Sequence, residues 1–199
     1  MQTCATETIS GFNGFVETLK KGETGKNRFT LTQFDSQGID VLHDAVPLAK
    51  VMKLDSETFK PRGNTPLHDA IGRTIKATEK QAGAKYKVLF VTLTDGMENA
   101  SSEWNDVSIK NLIKEKEDKD KWTFAHIGVG VGGWAATNKL AQGTQSVSNF
   151  VHVTPQNVKK AFGATASAAR SYMRCAVSGQ SVSAAFYAGH KEEDESSAS

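Results

Sequence analysis

The chain has little cysteine: two residues in 199, Cys4 and Cys175, far apart and in no Cys-x-x-Cys pair. That excludes a disulfide scaffold and a cysteine-based zinc site, and leaves two free thiols in a reducing, cytoplasmic compartment as the expectation. Long hydrophobic runs are missing too. No stretch approaches the roughly 18 apolar residues that a membrane helix needs. The start, Met1 to Glu7, has neither a basic opening nor an apolar continuation, which argues against a signal peptide. Acidic residues are absent between Lys121 and Lys191, while Lys121, Lys139, Lys159, Lys160, Arg170, Arg174 and Lys191 all remain. A basic face for nucleic acid competes there with a solvated surface whose acidic partners lie elsewhere in the fold. Charges spread so thinly, with few aromatics between them, favour the second reading. Neither membrane nor nucleic acid is expected as a partner.

What is present fits one α/β domain of ordinary composition, with 38% hydrophobic and 23% charged residues. Ile9, Phe12, Phe15, Val16 and Leu19 recur at helical spacing, predicting a helix over 8–20 that Gly22 and Gly25 end. Residues 28–35 alternate as a strand. Ser36-Gln37-Gly38 turns them into a second strand over 39–45, and a loop containing Pro47 follows. Thr65 reads as an N-cap and Pro66 as a first helical residue, opening a helix with Leu67, Ile71, Ile75 and Ala82 on one face. Residues 86–94 are apolar throughout their middle, as a strand buried on both faces should be.

A helix over 105–119, a buried strand over 122–129, a short helix over 134–141 and a strand over 150–153 come next. Thr154-Pro155 opens the final helix. Helices alternating with buried strands imply a mostly parallel sheet with helices on both faces, and an antiparallel pair at one edge. The domain is placed at 1–175, and 176–199 is expected to be a polar tail ending in Glu192-Glu193-Asp194-Glu195.

Ligands of open parallel sheets bind beyond the carboxyl ends of the strands. Two segments have that address: Gly63-Asn64-Thr65-Pro66, at a helix start, and Thr94-Asp95-Gly96-Met97-Glu98-Asn99, after the most apolar strand. Asp95 offers a carboxylate and Thr65 a hydroxyl, hard oxygen ligands suited to Mg²⁺ or Mn²⁺. Each also has a plain structural reading, a turn at Asp95-Gly96 and a helix cap at Thr65. His68 and Asp69 begin the following helix and are expected at the surface.

Arg62-Gly63-Asn64-Thr65-Pro66-Leu67-His68-Asp69-Ala70-Ile71, followed by the run from Val88 to Asn99, resembles the von Willebrand factor A (vWA) family. The resemblance covers about residues 1–175 and is closest to the small stand-alone members from bacteria and their phages. It implies a Rossmann-like fold and a metal-ion-dependent adhesion site. That site joins an Asp-x-Ser-x-Ser loop to a threonine and an aspartate, matched here by Thr65 and Asp95. Gly63, Asn64, Gly96 and Glu98 would shape its rim. In the family the metal holds a coordination position open for an acidic side chain of a protein partner.

The Asp-x-Ser-x-Ser loop and the central strand that carries it have no counterpart, since Met1 falls just after the motif. Three explanations are open: a start assigned too late, a truncated chain that swaps or borrows a strand, or a sheet that closes up with its halves paired directly. In each case the metal site of this sequence is incomplete, and self-association through unpaired strands is a further expectation.

Rival readings have less support. Gly128-Val129-Gly130-Val131-Gly132-Gly133 fits a dinucleotide fingerprint, but no acidic residue follows at the distance the ribose needs, so a flexible loop is expected instead. The five histidines show no metal-type spacing, Ser101 and Ser102 lack a nucleophile context, and the Asp-x-Asp pair of a phosphoryl-transfer enzyme using Asp95 is missing. A non-enzymatic protein-binding module is the expected function. The alternative is a metal-independent structural or assembly subunit.

Overall fold

The computed structural model describes residues 4–22, 26–83, 85–119, 121–178 and 186. Phe12, Phe15, Val16 and Leu19 bury one face of helix α1 (Ala5–Lys21). The hairpin β1 (Arg28–Asp35) and β2 (Gly38–Pro47) follows, so Pro47 closes a strand rather than sitting in a loop. Helix α2 spans Leu67–Ala82, and β3 (Val88–Thr94) leads to α3 (Asp106–Glu117). Then come β4 (Trp122–Val129), α4 (Gly130–Ala141), β5 (Phe150–Val153) and α5 (Val158–Ser178). Of the tail expected at 176–199, α5 takes residues up to Ser178 and Phe186 is buried beside Tyr172. The rest lies outside the described residues.

The architecture is α/β, with a parallel sheet covered by helices on both faces. Strands β3, β4 and β5 form that sheet in the order β3-β4-β5, in register from Val88 opposite Trp122 to Thr94 opposite Gly128. Helices α1 and α5 cover one face through Phe12, Phe15, Val16, Phe162 and Ala169. Helices α2, α3 and α4 cover the other through Leu67, Ile71, Ile75, Ile113 and Leu140. The alternation along β3 divides accordingly: Leu89, Val91 and Leu93 face the α1/α5 side, while Val88 and Phe90 face the α2/α3 side.

Strands β1 and β2 form a separate antiparallel pair. Their ladder is irregular between Phe29 and Thr32, where Ala45 takes φ 46° and donates its N–H to Thr30 Oγ1 at 3.1 Å. Side chains attach the pair to the rest. Phe29 packs edge-on to Phe12, Thr74 meets Thr32 at 3.1 Å, and Gln81 reaches Asp44 at 2.6 Å. Arg62 ties Asp35 to the segment before α2 at 2.7 Å.

These ties fix the direction of β1. Its end, Asp35, lies near the head of α2, and its start lies near the foot, where Asp44 meets Gln81. Strand β1 therefore runs the same way as β3. The two halves of the sheet do not pair directly. Between β1 and β3 lies a cavity of about 960 Å³ walled by Phe12, Phe15, Leu31, Phe90 and Val91. The closed-up sheet is thus excluded among the described residues. The slot also explains the burial of β3. An apolar central strand should be buried along its whole length, as β4 is, yet five of its seven residues are only half-buried.

No helix among the described residues is long and apolar enough to cross a membrane. Cys4 and Cys175 form no disulfide. Within the acid-free stretch, Lys139 pairs with Asp106 at 3.4 Å, so an acidic partner from elsewhere in the fold does neutralise one of its cations.

Candidate functional site

Thr65 and Asp95 come together at the head of the sheet. Asp95 follows the last residue of β3. The turn behind it is held by Thr94, whose hydroxyl both donates to Gly96 O at 3.1 Å and accepts the Gly96 N–H at 3.2 Å. Thr65 packs on that turn: a methyl added to Gly96 would lie 2.5 Å from Thr65 Oγ1. Asn99 secures the approach. Its side-chain oxygen accepts the Thr65 N–H at 2.7 Å, and its own N–H donates to Thr65 O at 3.2 Å. Gly63 has φ 57°, a left-handed conformation that also leaves room for Ser36 against it, and it turns the chain toward Asn64, which is exposed.

The cap reading of Thr65 is corrected. Helix α2 begins at Leu67, and the preceding residue, Pro66, makes no side-chain capping bond. The orphan N–H groups of its first turn are satisfied by the loop after β3. Glu98 Oε2 accepts the His68 N–H at 2.8 Å, and Ser101 Oγ accepts the Asp69 N–H at 3.0 Å. The hydroxyl of Thr65 is thereby spared, and it makes no hydrogen bond to a described residue.

Glu98 is drawn into the fold rather than displayed on the rim. It also accepts the Ala100 and Ser101 N–H groups at 2.9 and 2.8 Å and the Ser101 hydroxyl at 2.7 Å. Burial alone would raise its carboxyl. The donors of Ser101, His68 and Ala100 outweigh burial and hold it below the usual range.

His68 and Asp69, expected at the surface, are buried. Burial depresses the His68 imidazole more than the nearby Glu98 raises it, so the ring is held neutral. Asp69 accepts backbone N–H groups of Ser102, Trp104 and Glu103 at 2.9, 2.8 and 3.0 Å, which outweigh its desolvation and keep it ionised below the usual range. The reading from residue types missed these parts of Asp69, Ser101 and Asn99. The available signal was the lack of a local side-chain cap for α2, which required donors' partners from another segment.

The glycine run is not a flexible loop. Gly130 to Gly133 form the first turn of α4, pressed against the end of β3. A methyl on Gly133 would overlap Thr94 O, and one on Gly132 would lie 2.9 Å from Asp95 O. Close approach of helix to strand accounts for these glycines.

The head therefore offers one hydroxyl and one carboxylate to a cation. The adjacent carboxylates, Glu98 and Asp69, are already filled by backbone donors. No group of three or more His, Cys, Asp or Glu side chains suited to a metal occurs among the described residues. A bound Mg²⁺ takes six oxygen ligands, several of them commonly waters, and among the described residues Thr65 and Asp95 would supply two of them.

The fold has a solved counterpart. The chain resembles the proximal thread matrix protein 1 of the mussel byssus, solved with a zinc-occupied MIDAS motif, at 14% identity and a TM-score of 0.53. The match covers 80% of this chain and 40% of that one, so the chain spans well under half the length of its neighbour. At that identity the likeness supports the vWA-like fold. No family model and no curated protein matches the sequence.

Proposed function

We propose that the chain is a non-enzymatic protein-binding module of the vWA type that uses the head of its sheet as the recognition surface. The observation that carries this is the spared Thr65 hydroxyl beside the Asp95-Gly96 turn, with Gly63, Asn64 and exposed Met97 around it. A helix cap supplied from a distant loop would be a costly way to free a hydroxyl with no task. The non-enzymatic part rests on the fate of the acid–base groups nearby. His68 is buried and neutral, and Glu98 and Asp69 are locked as backbone acceptors, so neither is poised to exchange a proton.

In a complete vWA site a metal would bridge to an acidic side chain of the partner. Among the described residues Thr65 and Asp95 supply only part of such a site, and recognition rests on the polypeptide. The small stand-alone type and a cytoplasmic location belong to the same proposal. Their support is the loop motifs and two cysteines that form no disulfide.

Thermal melting with millimolar Mg²⁺ or Mn²⁺ tests this. The expected shift is under about 1 °C, because a ligand well below its Kd adds almost nothing to stability. A chelator-sensitive rise of several degrees, lost in Asp95→Ala, would show a working metal site and overturn it. A photo-crosslinking side chain at Asn64 should capture a protein that the same change at Asn111, exposed on α3, does not, with capture lost in Asp95→Ala. Equal capture at both positions removes the head as the binding surface. Turnover of common phosphoesters that disappears in Asp95→Ala would replace the binding reading with an enzymatic one.

The second reading, a metal-independent structural or assembly subunit, draws on the solved neighbour, which is a matrix protein. A partner insensitive to Asp95→Ala favours it.

A further inference from the structure

Two buried polar atoms on neighbouring strands bond to no other side chain or backbone group. They are Thr92 Oγ1 on β3 and His126 Nδ1 on β4, in residues that are 4% and 0% exposed. Thr92 and His126 are opposite one another in the parallel register. Alternation puts both on the face of Phe90 and Phe124, beneath α2, α3 and α4. Adjacent strands lie about 4.8 Å apart, so the two side chains stand side by side. The helices above press Leu67, Ile109 and Leu140 on that layer, which shuts it off from solvent.

What each atom can do follows from counting hydrogens, beginning at the far side of His126. Thr144 has one hydroxyl hydrogen, and the Ala141 carbonyl, 2.8 Å away, takes it. Ser146 Oγ therefore faces two acceptors, Thr144 Oγ1 at 2.6 Å and the carboxylate of Glu117, and its single hydrogen goes to one of them. Toward His126 Nε2, 3.2 Å away, Ser146 Oγ can then only accept. Burial keeps the ring neutral at ordinary pH, so it has one hydrogen to place. That hydrogen is on Nε2, and Nδ1 presents a bare lone pair.

Thr92 offers the complement, a hydroxyl hydrogen spent on no other group of the chain. A donor and an acceptor thus share one buried space without bonding to each other, and leaving both unsatisfied would be costly. A single molecule that donates to one and accepts from the other removes both costs.

We propose that Thr92 and His126 hold one internal water between β3 and β4, which donates to Nδ1 and accepts the Thr92 hydroxyl. Two polar partners are enough to keep such a water in a closed core. The water extends the bond between His126 and Ser146 across to β3. It thereby ties the middle of the sheet to the tight turn Gln145–Ser148, which leads into β5. It also sets where acid acts: a proton must enter at Nδ1, on the water side, because Nε2 already carries its hydrogen. The inference uses neither the head of the sheet nor the binding role proposed for it.

NMR on the full, nitrogen-15-labelled chain tests both halves. Nε2 should show a one-bond coupling to hydrogen, and Nδ1 should show none. A through-space contact should join the His126 ring or the Thr92 methyl to a long-lived water. Thr92→Val keeps the shape and removes the donor, so that contact should be lost, whereas Thr92→Ser should retain it. Ser146→Ala takes away the acceptor of the Nε2 hydrogen, and the ring hydrogen should then move to Nδ1, a change that packing alone would not cause.

A crystal structure of the unaltered chain should place an ordered water about 3 Å from both atoms. It decides the matter if Thr92→Val fails to fold. A hydrogen on Nδ1 in the unaltered chain overturns the proposal. So does a direct bond from the Thr92 hydroxyl to His126, or a site at which neither method finds water.

Discussion

Asp69 shows how much one side chain can organise. It sits in the first turn of α2, is buried, and accepts three consecutive backbone N–H groups from residues 102–104. Its removal leaves those donors without partners, so Asp69→Ala should cost about 3 kcal/mol and loosen the loop that caps the helix, measured by urea unfolding. An effect within 0.5 kcal/mol or so would show that the loop is held by other means. The sign of the pH dependence follows from its lowered pKa. The folded state favours the ionised form, so this stability is full above the ordinary carboxylate pKa and is lost as pH falls through the lower folded value.

His126 acts over a different range. It is fully buried, with Nε2 3.2 Å from Ser146 Oγ and Nδ1 without a partner, and burial pulls it from 6.5 to about 4. The unfolded chain then binds a proton that the folded chain refuses. Stability should decline as pH falls from 6.5 toward 4, by on the order of 3 kcal/mol in all. His126→Gln should flatten that part of the curve, and an unchanged slope between those pH values would show that another group titrates there. Roles of this kind were not legible in residue types. The sequence places His68 and Asp69 at a helix start, where the exposed reading is the ordinary one. Only the return of residues 98–104 across that helix, some thirty positions later, buries them.

Secondary elements were far more legible, because hydrophobic period is a local property. The helical repeat of Phe12, Phe15 and Leu19, the continuous run of β3, and Pro66 ahead of α2 each announced an element whose observed bounds differ by a few residues. The misreadings were at contacts. The glycines before Trp134 looked like a loop because glycine lowers helix propensity, and nothing local shows that the end of β3 lies against them. In this position propensity yields to space. Gly133→Ala should therefore destabilise the chain, by about 2 kcal/mol, although alanine is the better helix former, since the methyl must displace Thr94 O. Gly163 of α5 meets nothing within 4 Å of an added methyl. Gly163→Ala should instead stabilise by about 0.5–1 kcal/mol. Equal effects of the two substitutions in thermal melts would refute the close-approach explanation.

At the scale of the whole molecule, the sequence carried the fold class and the gap in its sheet, but not how the chain arranges itself around that gap. Closing up was one expectation, and the structure keeps the halves apart because α1 and α2 hold them at a fixed spacing, one on each face. Phe29 and Thr32 of β1 engage α1 and α2, while Leu89 and Phe90 of β3 engage the same two layers from the other side. Helices thus substitute for backbone pairing as the link between hairpin and parallel sheet. Side-chain packing without a shared ladder is a weaker coupling, so β1 and β2 should open before the parallel sheet does. Exchange in increasing denaturant should show the amides of Leu31, Val41 and Leu42 released in a subglobal step, below the denaturant concentration that frees Phe124, Ala125 and Ile127. A chain in which both sets of amides open together would mean that the helices alone make the molecule a single cooperative unit.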